Sequence, residues 1–305
     1  MKVTFWGVRG SIPTPGATTS RYGGNTPCVT VEEGETLIIL DCGTGIRLLG
    51  NSLLQRFNGN PITAHILISH THWDHIQGFP FFVPAFIPSN TFTIYGAEGA
   101  NRQIEDTLAG QMESPYFPVT IREMGANLRF EHISEGNFAI NGLQVTTCFL
   151  NHPGVTLGYK ISNGVGSLVY LSDHEPFSRM LRTPSRYKIP SDQGLSAKET
   201  AAFAEIRDNE YAQFCMDTDL LVEDSPYTPD EYEKRVGWGH ACIDDVVAMA
   251  ARARVKQLAL FHHDPSHTDD QMDAIVEMCR NRLIPKDSAL KCFAAQEGQQ
   301  IVIPA

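Results

Sequence analysis

The chain has 305 residues, enough for one large domain or two ordinary ones, and its 42% hydrophobic and 19% charged residues are the balance of an ordinary globular protein. A formal charge of −11, with no clear Lys/Arg cluster, argues against a surface built to track a long nucleic acid. Apolar runs such as Thr36 to Leu40 are only strand-length, so no membrane span is expected. The seven cysteines are odd in number and lack C-x-x-C spacing, which speaks against a disulfide framework and for a reducing, cytoplasmic setting.

Met1 to Trp6 enters a strand pattern directly, without the pattern of a signal peptide. Val3 to Gly7, Cys28 to Val31 and Leu37 to Leu40 read as short strands separated by glycine- and proline-rich turns. The long loop between the first two carries Arg9 and Arg21 and is expected near the functional site. Asp41-Cys42-Gly43-Thr44-Gly45 then leads into a helical run, Ile46 to Phe57. Its glycine spacing matches neither nucleotide-binding fingerprint, so it reads as a tight strand-to-helix turn, with Asp41 supporting its neighbours. The aromatic stretch Gly78 to Pro88 reads as core packing rather than a pocket wall.

Further on, Phe92 to Tyr95 reads as a strand and Gly99 to Ala109 as a helix. Val119 to Leu150 reads as a strand series, with a hairpin signal at Asn141-Gly142. Leu157 to Ile161 and Ser167 to Leu171 continue it, and Phe177 to Leu195, with Pro184 and Pro190, reads as loop. Helices are expected over Ala197 to Phe214, Ile243 to Arg252 and Asp269 to Arg282, with strands at Leu220 to Val222 and Gln257 to Phe261. No linker or repeat interrupts the chain, so residues 1–305 are read as one domain. Two groups of strands, each followed by helices, fit two sheets packed face to face with helices outside.

The chemistry concentrates in Ser69-His70-Thr71-His72-Trp73-Asp74-His75, at the end of the apolar run Ala64 to Ile68. In extended backbone His70 and His72 point the same way, while Asp74 and His75 follow a turn. One stretch can therefore serve two adjacent metal ions, the first through His70 and His72 and the second through Asp74 and His75. Imidazole with carboxylate suits zinc, manganese or iron. His152 ends the strand Val145 to Leu150 and would complete the first site. Asp173 ends Leu168 to Leu171 and could bridge both ions with its two oxygens, leaving His174 to face the other way. Of His262 and His263, strand alternation allows only one to reach the second site; His263 is preferred and His262 is the alternative. His240 lies in Gly237-Trp238-Gly239-His240, where the glycines permit close backbone approach, and a free histidine there could protonate a leaving alkoxide.

The H-x-H-x-D-H pattern resembles the signature of the metallo-β-lactamase superfamily. With His152, Asp173, Asp224, Gly239-His240-Ala241-Cys242 and Leu260-Phe261-His262-His263 added, the chain resembles the branch of ribonuclease Z and the class II cyclic phosphodiesterases. The resemblance implies an α/β fold, the αββα sandwich of two packed mixed sheets. It assigns the ligands of two divalent ions, Zn or Mn with Fe an option, to His70, His72, Asp74, His75, His152, Asp173 and His263. It gives His240 the role of proton donor, Asp224 that of its orienting partner, and Asp74 that of orienting the attacking water. It also makes a homodimer an option.

The expected substrate is a small anionic phosphodiester such as a cyclic nucleotide or other cyclic phosphate, with Arg9 and Arg21 as candidate phosphate contacts. Tying the loop down through carbonyls is an equal alternative for these arginines. The basic Gly/Pro-rich arm by which ribonuclease Z grips tRNA has no counterpart, which disfavours tRNA 3′-end processing as the second reading. An acyl (lactone or thioester) hydrolase, a redox di-iron centre and a non-hydrolytic metal-binding protein stand further back.

Overall fold

The computed structural model describes residues 1–97, 103–182 and 196–304. One seven-stranded sheet contains β1 (Lys2–Gly7), β2 (Cys28–Glu33), β3 (Thr36–Leu40), β4 (Thr63–Leu67), β5 (Thr91–Ala97), β6 (Asn127–Ile133) and, at its edge, β14 (Gln300–Val302). The other contains β7 (Gly136–Ile140), β8 (Leu143–Phe149), β9 (Leu157–Ser162), β10 (Ser167–Leu171), β11 (Leu220–Asp224), β12 (Gln257–Phe261) and β13 (Lys291–Ala294). Their orders are 14-1-2-3-4-5-6 and 13-12-11-10-9-8-7. Both are mixed in the same way: strands β14 to β3 and β7 to β10 pair antiparallel, whereas β3 to β6 and β10 to β13 pair parallel. Asn141 and Gly142, both at positive φ, make the tight β7–β8 turn that the Asn-Gly pair signals.

Helices cover the outer faces. They are α1 (Gly45–Phe57), the one-turn α2 (Trp73–Ile76), α3 (Ile104–Gly110), α4 (Phe177–Arg182), α5 (Ala197–Phe214), α6 (Pro229–Tyr232), α7 (Ile243–Arg252) and α8 (Asp269–Met278). Strand alternation assigns each side chain to a layer. Ile38 and Leu40 of β3, with Leu168 and Tyr170 of β10 and Ala259 and Phe261 of β12, fill the core between the sheets. Leu37 and Ile39 turn outward to meet Ile46, Leu49 and Leu53 of α1. Val169, Leu171, Leu258 and Leu260 turn outward to meet Val246 and Val247 of α7 and Met272 of α8.

Two expectations change. Residues 177–182, read as loop, form α4, because the N–H groups of Phe177 and Ser178 donate to the Asp208 carboxylate of α5 at 2.9 and 3.0 Å. A cap supplied by another element leaves no local signal. The rest of the expected loop, 183–195, and the start of the helix expected at 99–109 lie outside the described residues. The last helix ends at Met278 and continues as a wider turn over Cys279–Leu283.

Alternation also places Glu223 on the helix-covered face of β11, with Leu221. It is buried, and its Oε2 has no hydrogen-bond partner. Burial, reinforced by Asp224 and Asp245, pushes its carboxyl well above the ordinary 4.5. The folded chain therefore keeps a proton that the unfolded chain releases above pH 4.5 or so, and stability falls as pH rises through that window. Glu223→Gln removes this penalty. It should raise Tm by a few degrees at pH 8 and much less at pH 5, and a gain equal at both pH values would contradict the assignment.

Candidate metal centre

The site lies where parallel strands of both sheets end, the usual place for a site in such sheets. After β4 the chain runs through Ser69 and His70 to His72, then turns into α2 with Asp74 and His75 in its first turn. From the other sheet come Asp173 after β10, Asp224 at the end of β11 and His262 after β12. His152 follows β8, and His240 precedes α7.

Two donor sets result. His70, His72, His152 and Asp173 form one, and Asp74, His75 and His262 the other, the donor atoms of each lying within 4.8 Å of one another. Asp173 belongs to both. Its Oδ2 is 3.5 Å from His70 Nε2 and 3.6 Å from His152 Nε2, while its Oδ1 is 3.1 Å from His75 Nε2 and 3.4 Å from His262 Nε2. His152 Nε2 also lies 3.0 Å from His72 Nδ1.

The far sides of the rings are held by the protein. His75 Nδ1 donates to Asp41 at 2.8 Å, and Asp41 also accepts the Ser69 N–H and the Ser69 and Tyr170 hydroxyls. His152 Nδ1 donates to the Gly239 carbonyl at 2.8 Å. Each such bond turns the other nitrogen of its ring, as a lone pair, into the centre. His70 Nε2, His75 Nε2 and Asp173 Oδ1 are buried and have no hydrogen-bond partner. Unmade bonds of this kind are costly, and a cation at the focus of both sets satisfies them. The donor set therefore fits divalent metal ions.

The electrostatics agree. Burial acts against the Asp74 carboxylate, but His75 and His262 overcome it and hold the group far below the ordinary carboxylate range. Burial lowers His70 well below 6.5 and His152 to about 4, which keeps both neutral and free to ligate. Burial also works against His262, yet Asp173, Asp224 and Asp74 lift it to about 10. That is how a cation-seeking carboxylate cluster acts on its nearest base.

His240 stands beside this centre. Its Nδ1 lies 3.0 Å from Asp224 Oδ2, which also accepts the N–H groups of His174 and Ala241 at 3.2 Å. Asp224 Oδ1 reaches His262 Nδ1 at 3.4 Å, so one carboxylate fixes two rings, stacked with centroids 5.0 Å apart. Burial lowers the His240 pKa, but Asp224 outweighs it and the net shift is upward. A small cleft, lined by Ser11, Tyr227, His240 and His262 among others, opens next to it.

The preference for His263 is corrected. His262 has φ +56°, a left-handed turn that interrupts strand alternation directly after Phe261 and brings its ring to Asp74 and Asp173. His263 instead donates from Nε2 to the Ala295 carbonyl at 2.8 Å, edge-on to Tyr22. Gly10 makes room for the new ring position, since a Cβ there would lie 2.4 Å from the His262 imidazole.

The two arginines are corrected as well. Arg9 is fully buried and donates to the carbonyls of Gly23, Asp264 and His267, so it ties loops together and cannot meet a substrate. Arg21 is paired with Asp270 and Asp273 at 2.8 Å each, on the surface. What the N-terminal loop does bring to the site is the Ser11 N–H, which donates to Asp74 Oδ2 at 2.7 Å. His174 faces away from the centre, buried with its ring against Tyr211.

Sequence reading missed Glu175. It accepts the Gly237 and Gly239 N–H groups at 2.8 Å and the Tyr232 hydroxyl, and so braces the turn that presents His240. Its place two residues beyond Asp173 was the available signal.

Residues 36–187 match the family model for the beta-lactamase superfamily domain. The chain belongs to the metallo-β-lactamase superfamily. Among its relatives is a ribonuclease Z from Haloferax volcanii, 21% identical over 337 residues and matched across 100% of this chain and 95% of its own. In fold the superfamily member resembles the metallo-beta-lactamase fold protein YhfI from Bacillus subtilis, with TM-score 0.64 and 17% identity over 98% of both chains. It also resembles a diphosphatase from the PhnP family, with TM-score 0.63 and 17% identity over 99% of this chain and 97% of that one.

The geometry makes a direct comparison. His262→Ala should bind less zinc than the parent by elemental analysis after dialysis, whereas His263→Ala should bind as much and lose only stability. Equal metal loss in both variants would return the assignment to His263.

Proposed function

We propose that the protein is a metal-dependent phosphodiesterase that hydrolyses a small phosphodiester, a cyclic nucleotide or other cyclic phosphate, and that residues 1–305 act as one catalytic unit in the cytoplasm. One observation carries this reading. Asp173 turns one oxygen to each of two donor sets, and a histidine held by its own carboxylate stands beside them.

His70, His72, His152 and Asp173 would hold one ion, and Asp74, His75, His262 and Asp173 the other, with zinc or manganese the suited metals. When bound, such a pair supplies charge neutralisation for a phosphoryl oxygen and a more acidic water. The chain's own residues do the rest. Asp74, its Oδ2 fixed by the Ser11 N–H, orients the attacking water and accepts from it. Asp224 holds His240 by Nδ1 and raises its pKa, which favours the imidazolium that can deliver a proton from Nε2 to the departing oxygen. Glu175 keeps the His240 turn in register with His152 through Gly239.

A second reading, cleavage of tRNA 3′ ends, draws on the relatives named ribonuclease Z. A net charge of −11 and the engagement of Arg9 and Arg21 within the protein weigh against it. It would show itself as tight tRNA binding that weakens steeply with salt.

Manganese- or zinc-loaded protein should turn over bis(p-nitrophenyl) phosphate, and Asp74→Ala should abolish the activity. His240→Gln should lose roughly 10²–10⁴-fold on an alkyl leaving group and far less on p-nitrophenolate, which departs without a proton. Equal losses on both would remove His240 as the donor, and an inactive parent shown to hold two ions would sink the phosphodiesterase.

A further inference from the structure

The phosphate end of a substrate is accounted for by the donor sets, but nothing yet described recognises the rest of the molecule. Two of the chain's three tryptophans are unusual in this respect. Trp6 is partly buried and donates its indole N–H to Thr30 at 3.0 Å. Trp73 and Trp238, by contrast, are 75% and 57% exposed. An indole so exposed forgoes the largest apolar burial any side chain offers, and both occur directly at the centre.

Their backbone positions place them around its opening. Among the seven donors of the two sets, His72 is the exposed one and His152 the half-buried one, so the centre meets solvent there. Trp73 adjoins His72 in sequence, and Trp238 adjoins Gly239. His72 approaches the Nε2 side of the His152 imidazole and the Gly239 carbonyl its Nδ1 side, at 3.0 and 2.8 Å. Each tryptophan is thus the sequence neighbour of a residue that touches one of the two nitrogens of the His152 ring at the mouth. Gly239 has φ +87°, and a Cβ there would fall 2.3 Å from His152 Nδ1. The turn is thereby pinned against the centre with Trp238 at its outer corner.

Charge narrows what can bind there. Arg9 is buried in carbonyls and Arg21 is paired with Asp270 and Asp273. Arg235, beside the cleft, lies over Tyr227 at 4.8 Å and is 3.8 Å from Asp264. With these three arginines committed, the exposed indoles offer aromatic binding surface at the mouth. Resting on the phosphodiesterase reading, we propose that Trp73 and Trp238 form a stacking clamp for the nucleobase of a nucleotide substrate.

The test is binding of AMP and of inorganic phosphate to the zinc-loaded full-length protein, followed by tryptophan emission and calorimetry. AMP should bind more tightly than phosphate and quench emission. Trp73→Ala and Trp238→Ala should each weaken AMP about 5- to 100-fold more than they weaken phosphate, and the corresponding Phe variants should recover most of that loss. Equal affinity for the two ligands in the parent, or equal weakening of both in the variants, overturns the clamp. Turnover of adenosine 2′,3′-cyclic phosphate against ribose 2′,3′-cyclic phosphate separates this claim from the one beneath it. AMP selectivity without turnover of either removes the phosphodiesterase and leaves the clamp, whereas turnover of both at equal kcat/KM removes the clamp and leaves the phosphodiesterase.

Discussion

Asp173 is buried between His70, His75, His152 and His262, and much of the surrounding structure serves to keep it there. A carboxylate taken out of water needs opposite charge or several donors close by. Here the neighbours are mainly imidazoles whose inward nitrogens are bases, because Asp41 and the Gly239 carbonyl take the outward N–H of His75 and His152. The inward Nε2 atoms of His70 and His75 are left without a hydrogen-bond partner. The fold holds these groups at close range through two packed sheets, and the cost of doing so is offset when cations bind. Stability and metal binding are in this sense the same property of the chain.

The sheets make that convergence possible through their shared pattern. Each passes from antiparallel to parallel pairing at one strand, β3 in the first sheet and β10 in the second, and each of those strands ends in an aspartate that serves the site. Asp41 follows Leu40 at φ +61° and supports His75, while Asp173 follows Leu171 and Ser172 and enters the centre itself. Parallel neighbours then deliver more side chains at the same level: His70 and His72 beyond β4, Asp224 on β11, His262 beyond β12. Face-to-face packing brings the carboxyl ends of both parallel blocks to one rim.

How much of this the sequence disclosed follows from how local each signal is. The cluster from His70 to His75 is legible because its donors lie close together in sequence, and the layers are legible because β3, β10 and β12 each carry an unbroken run of four apolar residues, the pattern of a strand buried on both faces. His152 and Asp173 were found by their position after strands. The choice between His262 and His263 failed because alternation stops where a residue adopts positive φ, and nothing in Phe-His-His-Asp announces that turn. For Arg9 a phosphate contact and a tie to carbonyls stayed equal alternatives, because the carbonyl partners that decide for the tie, at Gly23, Asp264 and His267, come from segments up to 258 residues away. The helix α4 was missed for the same reason, its cap being Asp208 on a different helix. Long-range satisfaction of polar groups decides these cases, and local pattern does not carry it.

Glu175 shows the same principle inside the site. Its backbone pairs with Asn151, the residue before His152, in both directions: the Glu175 N–H donates to the Asn151 carbonyl and the Asn151 amide donates back. Its side chain holds Gly237 and Gly239 across the gap. The segments that carry His152, Asp173 and His240 are therefore tied to one another through Glu175. The His152 imidazole, the Asp173 carboxylate and the His240 imidazole, from three distant stretches of chain, keep a fixed relation because one buried carboxylate accepts from the third segment while its main chain grips the first. Precise placement at such a centre depends less on the donors than on residues of this kind. The His240 turn can be built from glycine, the most mobile of residues, because Glu175 removes the freedom that glycine brings.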